Sequence, residues 1–333
     1  MDPVELLETL LPIDATGGHE QRVVEKLAPL LERLGFDVTT RSVPGGRVNL
    51  LASPRGTAPS AILCSHLDTV PPHLPHRREG SIWYGRGACD AKGQIAAMVS
   101  ASQRAGEVGA PTPALLFVSG EETDHAGAIA CEQQELPFVP IVLGEPTCGQ
   151  MIQAGKGILK LEARTRGVAA HSAFPERGRS ATEPLILALH RLLQTRLPVD
   201  PILGPSTLNI AMLDGGIAAN VIPDRAGATL FLRASTPTSE LHEIVANALG
   251  DQVELDLGTH ADPIHFRTLP GFELGTVAFG TDGPFLPPGR DVFLMGPGDI
   301  RVAHSVDEHI LISDLRQGVE SLLQLLANLA TSP

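Results

Sequence analysis

The chain has 333 residues, 43% of them apolar and 19% charged, and a formal net charge of −13. These proportions exclude disorder, collagen and long coiled coils, and an acidic balance without any basic run argues against a nucleic-acid partner, whose binding draws on clustered Lys and Arg. No apolar run nears the roughly 18 residues of a membrane span, and the start lacks a basic leader and cleavage site, so a cytoplasmic protein with no membrane contact is expected.

The first element reads as a helix: Asp2 can cap, Pro3 opens the first turn, and Val4, Leu7, Leu10 and Leu11 share one face. A second helix runs through Val23, Val24, Leu27, Leu30, Leu31 and Leu34 and stops at Gly35. Short apolar runs then predict strands at Asn49 to Ala52, Ala61 to Cys64, Ala114 to Val118, Val139 to Leu143 and Val292 to Met295. Helical segments fall near Gly93 to Ala105 and Ala126 to Glu132. The alternation predicts an α/β fold, an open mixed sheet covered by helices.

Residues 155–265 have another texture. Strands are predicted at Ile158 to Arg164, Thr207 to Leu213, Ala226 to Arg233 and Gln252 to Leu257, with helices at Glu183 to Leu193 and Ser239 to Leu249. This is the pattern of a small inserted α+β domain, leaving residues 1–154 and 266–333 to form the outer, discontinuous one. The insert holds 10 basic and 12 acidic residues, so the acidic excess belongs to the outer domain. Cys64, Cys89, Cys131 and Cys148 are widely spaced, with no Cys-x-x-Cys pair to suggest a disulfide framework or a sulfur-ligated metal.

In open α/β sheets ligands bind beyond the carboxyl ends of the strands, so polar residues just after apolar runs carry the chemistry. Four such stretches occur: Ser65-His66-Leu67-Asp68-Thr69-Val70-Pro71, Gly120-Glu121-Glu122-Thr123, Gly144-Glu145-Pro146-Thr147, and Gly296-Pro297-Gly298-Asp299 leading to His304. A fifth acid, Asp90, stands in Gly85-Arg86-Gly87-Ala88-Cys89-Asp90-Ala91-Lys92-Gly93, just before a helix. Together His66, Asp90, Glu122, Glu145 and His304 make two imidazoles and three carboxylates, a ligand set suited to a pair of borderline cations such as zinc, one ligand bridging. Such a pair lowers the pKa of bound water toward neutrality. Asp68 is placed to accept the second N–H of His66. Glu121 and Glu122 can divide metal binding and general-base work between them.

With these motifs in this order, the chain resembles the M20 family of co-catalytic metallopeptidases, which includes acetylornithine deacetylase, succinyl-diaminopimelate desuccinylase, aminoacylase and glutamate carboxypeptidase. The resemblance implies that His66 and Glu145 hold one Zn²⁺, Glu122 and His304 a second, and that Asp90 bridges them. It makes Glu121 the base and Asp68 the orienting residue, and it implies a cis peptide at Asp90–Ala91. Co²⁺ or Mn²⁺ would be substitutes. The insert resembles the family's lid and homodimerisation domain. There His171, in Gly167-Val168-Ala169-Ala170-His171-Ser172, would polarise the substrate carbonyl. Asn220, in Gly215-Gly216-Ile217-Ala218-Ala219-Asn220-Val221-Ile222-Pro223, and Arg233 would bind its carboxylate end.

The Gly-Glu-Pro-Thr stretch and the approach to His304 look closest to acetylornithine and acetylcitrulline deacetylases. The expected substrate is thus an N-acyl amino acid in arginine biosynthesis, with desuccinylase, aminoacylase and carboxypeptidase as the alternatives. Lys92 is followed by Gly93, not the Ser or Thr of a phosphate loop, and no Gly-x-Ser-x-Gly elbow supports a serine hydrolase.

Overall fold

The helix Pro3–Leu10 begins where the Asp2 carboxylate accepts the amide of Val4 at 2.8 Å, satisfying a donor that the first helical turn leaves unpaired. A second helix, Gln21–Arg33, buries Val23, Val24, Leu27 and Leu31 and ends at Gly35, whose φ of 95° is the left-handed conformation glycine adopts freely. The computed structural model describes residues 1–331. The chain groups into two units, residues 1–153 with 266–275 and 281–333, and residues 154–265 with 276–280.

In the first unit a six-stranded mixed sheet runs in the order Phe36–Val43, Arg47–Pro54, Ala114–Val118, Ile62–His66, Ile141–Leu143, Val292–Leu294. The first three strands pair antiparallel and the last four parallel, Ala114–Val118 belonging to both groups. Parallel strands covered on both faces read as continuous apolar runs. Ile62, Leu63, Leu115, Leu116, Ile141 and Val142 are all fully buried, which is why these strands were visible in the sequence.

Behind the sheet, the helix Lys92–Arg104 is buried through its first eleven residues. It packs against Pro3–Leu10 and the C-terminal helix Ile312–Thr331. Small residues permit that burial. A Cβ on Gly93 would lie 2.4 Å from the carbonyl oxygen of Ala88, so only glycine lets the helix start this close to the loop before it.

The second unit is a four-stranded antiparallel sheet in the order Thr207–Gly215, Arg225–Ala234, Gly157–Arg166, Glu254–Ala261. Alternate residues of Arg225–Ala234 are buried. With Leu159 and Leu161 they meet Leu185, Leu189, Leu241 and Val245 from the helices Thr182–Gln194 and Thr238–Leu249. The latter helix is fastened from outside: Asp262 accepts both the amide and the hydroxyl of Thr238, at 2.7 and 2.6 Å. Among the described residues no helix is long and apolar enough to cross a membrane.

Candidate metal centre

Strand register brings the site together. His66 ends its strand opposite Val118, so the loop that follows Val118 emerges beside it. On the other side Cys64 pairs with Leu143, and the amide of Gly144 bonds the Cys64 carbonyl at 2.8 Å, which delivers Glu145 to the same sheet edge. Leu294 pairs with Leu143 in turn, and the chain beyond it leads to His304. Asp90 arrives from a different direction, in the loop before the buried helix. The Asp90–Ala91 peptide is cis.

Four of these side chains meet, those of His66, Asp90, Glu122 and His304. His66 Nε2 lies 2.9 Å from Asp90 Oδ1, and His304 Nε2 lies 2.9 Å from Glu122 Oε1 and 3.4 Å from Asp90 Oδ2. Ligand atoms of His66, Asp90 and Glu122 all fall within 4.8 Å of one another. His66, Asp90 and Glu145 are buried, whereas the side chain of His304 is 50% exposed, so the centre opens on its side. His304 holds a φ of 63°, a conformation that side chains other than glycine rarely adopt and that accompanies functional constraint.

The electrostatics describe a site short of positive charge. Burial, reinforced by the neighbouring Glu145, pushes the Glu121 carboxyl well above the carboxylate range. Burial does the same to Glu145, with Asp90, Asp282 and Glu122 adding to it against the pull of His66. The imidazoles are driven to hold charge. Burial disfavours the cation of His66, but its bonds to Asp68 and Asp90 prevail and raise it well above its ordinary value. Bonds to Asp90 and Glu122 raise His304 to about 10. Asp90 is held low despite its burial by the same two histidines. Carboxyls pushed up by burial and by one another, beside imidazoles pushed up by carboxylates, mark a pocket with excess acidic groups. The donors are the nitrogen and oxygen atoms that zinc and its neighbours accept, so the residues fit the cofactor.

Asp68 lies beside His66, as its spacing suggests, and is closer through its backbone oxygen than through its carboxylate. His66 Nδ1 bonds the Asp68 backbone oxygen at 3.0 Å, with the carboxylate Oδ1 farther off at 3.6 Å. The carboxylate instead accepts the amides of Gly120, Glu121 and Glu122 at 2.9, 3.2 and 3.0 Å. It therefore anchors the loop that carries both glutamates. Those bonds and His66 hold its pKa low against the effect of burial.

Two further groups were not visible in the sequence. His125 is buried, bonds Asp282 at 2.9 Å and stacks on Phe285 with centroids 4.2 Å apart. Its signal was a single histidine beyond Glu122, with no pattern to mark it. Lys92 donates to the backbone oxygen of Ile13 at 2.6 Å.

His171, Asn220 and Arg233 all belong to the second unit. His171 is exposed, its Nδ1 accepts the amide of Ala173 at 3.1 Å, and its backbone bridges Val221. The amide of Ser172 bonds the carbonyl of Asn220 at 3.0 Å, so these two motifs run side by side. Arg233 lies over the ring of Phe231, 4.9 Å from its centroid.

A mixed α/β sheet with imidazoles and carboxylates converging at its strand ends defines a metal-dependent hydrolase. Residues 62–328 match the model of peptidase family M20/M25/M40, and the chain belongs to that family. It is 33% identical over 329 residues to a peptidase M20 domain-containing protein of Schizosaccharomyces pombe, covering 95% of this chain and 82% of that one. With a probable carboxypeptidase of Aspergillus clavatus it shares 36% identity over 355 residues, 93% and 78% of the two lengths. Its fold matches a tripeptidase of Staphylococcus aureus with a TM-score of 0.79 at 21% identity, over 99% of this chain and 98% of that one.

Proposed function

We propose that this chain is a dinuclear zinc carboxypeptidase, hydrolysing the amide bond that precedes a residue with a free α-carboxylate. The convergence of His66, Asp90, Glu122 and His304 carries the hydrolytic part of the reading. The name of the Aspergillus relative supports carboxypeptidase over the deacetylase that the short motifs suggest. The two readings share their chemistry, since an N-acetyl amino acid is the shortest substrate with an amide on one side of Cα and a carboxylate on the other.

In this reading His66 and Glu145 would hold one cation and Glu122 and His304 the other, with Asp90 shared between them. Bound there, the cations supply an acidic water and polarise the scissile carbonyl. Glu121, whose carboxyl burial pushes up, would serve as the base, accepting the nucleophile's proton and returning it to the leaving amine. His171 would donate a hydrogen bond to the carbonyl oxygen, while Arg233 and Asn220 would hold the carboxylate. Free thiols fit a reducing, cytoplasmic setting. A homodimer through the second unit is supported by its open edge strand Thr207–Gly215, where Met212 and Leu213 are 66% and 60% exposed.

A substrate panel tests the proposal. Peptides with a free carboxyl terminus should be cleaved, their amidated counterparts should not, and a chelator should abolish turnover until Zn²⁺ is restored. Turnover of N-acetylornithine or N-acetylcitrulline without any peptide cleavage would restore the deacetylase reading, and N-succinyl-diaminopimelate alone would make it a desuccinylase.

A further inference from the structure

Four residues beyond His304, the side chain of Glu308 is wholly buried. Its Oε1 accepts the amides of Gly87, Asp90 and Cys89 at 2.9, 3.1 and 3.2 Å, and its Oε2 accepts the Arg86 guanidinium at 2.6 Å. The Glu308 carbonyl also receives the amide of Gly85 at 3.0 Å. Arg86, itself only 2% exposed, donates further to the carbonyls of Ser305 and Pro72, both at 3.3 Å. One carboxylate thus gathers the whole turn from Gly85 to Asp90 around itself. Successive backbone amides facing one anion make a nest whose geometry is far stiffer than that of a free loop.

Charge balance alone needs only Arg86. The three amides do something else, because one of them belongs to Asp90, and because Glu308 shares its own loop with His304. The side chains of Asp90 and His304 lie 3.4 Å apart on the opposite side of this clip. Any slackening between the two loops moves those two groups relative to each other.

We propose that Glu308 is a positioning residue of the metal centre: by clasping the Gly87, Cys89 and Asp90 amides from the His304 loop, it fixes the spacing of the Asp90 carboxylate and the His304 imidazole, and with it the affinity for the second cation. The inference rests on the dinuclear reading of the site. A carboxylate suits this position because it only accepts hydrogen bonds, and charge-assisted bonds to amides are about twice as strong as neutral ones. Glutamine keeps the shape but turns a donor toward Arg86. Alanine removes the clip altogether.

The test compares the wild type, Glu308→Gln, Glu308→Ala and the core variant Leu326→Ala, a stability control buried in the C-terminal helix. Zn²⁺ and Co²⁺ binding is titrated by equilibrium dialysis, and the absorption spectrum of the Co²⁺ form is recorded. In both Glu308 variants the tighter ion should bind as in wild type, while the weaker one loses affinity by about 10–100-fold and its Co²⁺ bands shift. Their kcat should fall with KM nearly unchanged, and excess Zn²⁺ should restore part of it. Leu326→Ala should lower the unfolding midpoint yet keep both affinities. If Glu308→Ala does not fold, the isosteric Glu308→Gln carries the comparison. A Glu308→Gln protein that binds both ions and shows the wild-type Co²⁺ spectrum overturns the inference, as does equal loss of affinity in Leu326→Ala. A wild type that takes up no second ion would instead overturn the reading of the site.

Discussion

Glu121 and Glu122 are neighbours in sequence to which the proposed function gives opposite tasks, and their separation is testable side chain by side chain. Glu121→Gln should lower kcat by roughly 10²–10⁴-fold while both cations remain bound, as measured by metal analysis of the purified protein. His304→Ala should retain one cation and lose the other. Metal loss in the Glu121 variant would mean that the two glutamates are exchanged in role. Asp68→Asn exchanges an anion that receives three amides for an amide oxygen that receives fewer, at a cost of roughly 2–3 kcal/mol in denaturant unfolding. At this scale the strand-end residues were legible because each follows an apolar run at a sheet edge. Glu308 was not. It stands in Val306-Asp307-Glu308-His309, where nothing distinguishes a buried acid from a solvated one, and its partners are backbone amides more than two hundred residues earlier.

Among the elements, periodicity found what was long and buried, and lost what was short or polar. The helices Gln21–Arg33, Thr182–Gln194 and Thr238–Leu249 follow their apolar faces closely. The edge strand Phe36–Val43 passed unnoticed because Asp37-Val38-Thr39-Thr40-Arg41-Ser42 faces mostly outward and offers no apolar run. Three-residue strands such as Ile82–Tyr84 and His309–Leu311 hold too few positions to show any period. The helix Ile312–Thr331 was legible and went unread: Leu315, Val319, Leu322 and Leu326 recur at helical spacing and are buried. The capped helix Thr238–Leu249 offers a pH test. Hydrogen bonds from the Thr238 side chain and amide keep the Asp262 pKa below its ordinary value. A carboxyl group lowered on folding stabilises the native state above its unfolded pKa, and that contribution disappears as pH falls through the native one. Wild type should therefore lose more stability than Asp262→Asn between pH 5 and pH 3, the difference read by urea unfolding. At pH 7, Asp262→Ala should cost about 1 kcal/mol.

At the level of the molecule, the chain groups into two units, and the alternating antiparallel pattern of the second differs in texture from the continuous buried strands of the first. Residues 276–280 group with the second unit, a detail no local pattern announces. All five proposed metal ligands lie in the first unit. Metal should therefore stabilise that unit selectively. With each cation at a thousand times its Kd the gain is about 4 kcal/mol per site, so a chelator should lower the calorimetric transition of the first unit and leave that of the second in place. The proposed dimer is tested on the second unit. Leu213→Lys on its open edge strand should convert a dimer to a monomer in sedimentation at micromolar concentration; an unchanged mass would place any self-association elsewhere.

The order of the ligands along the polypeptide has a consequence for biosynthesis. His66, Asp90, Glu122 and Glu145 leave the ribosome before the second unit is made, while His304 and the Glu308 clip come only after it. A nascent chain, or one cut short by premature termination, carries an unfinished centre. On the proposed ligand set, no fragment that stops before His304 carries the complete centre.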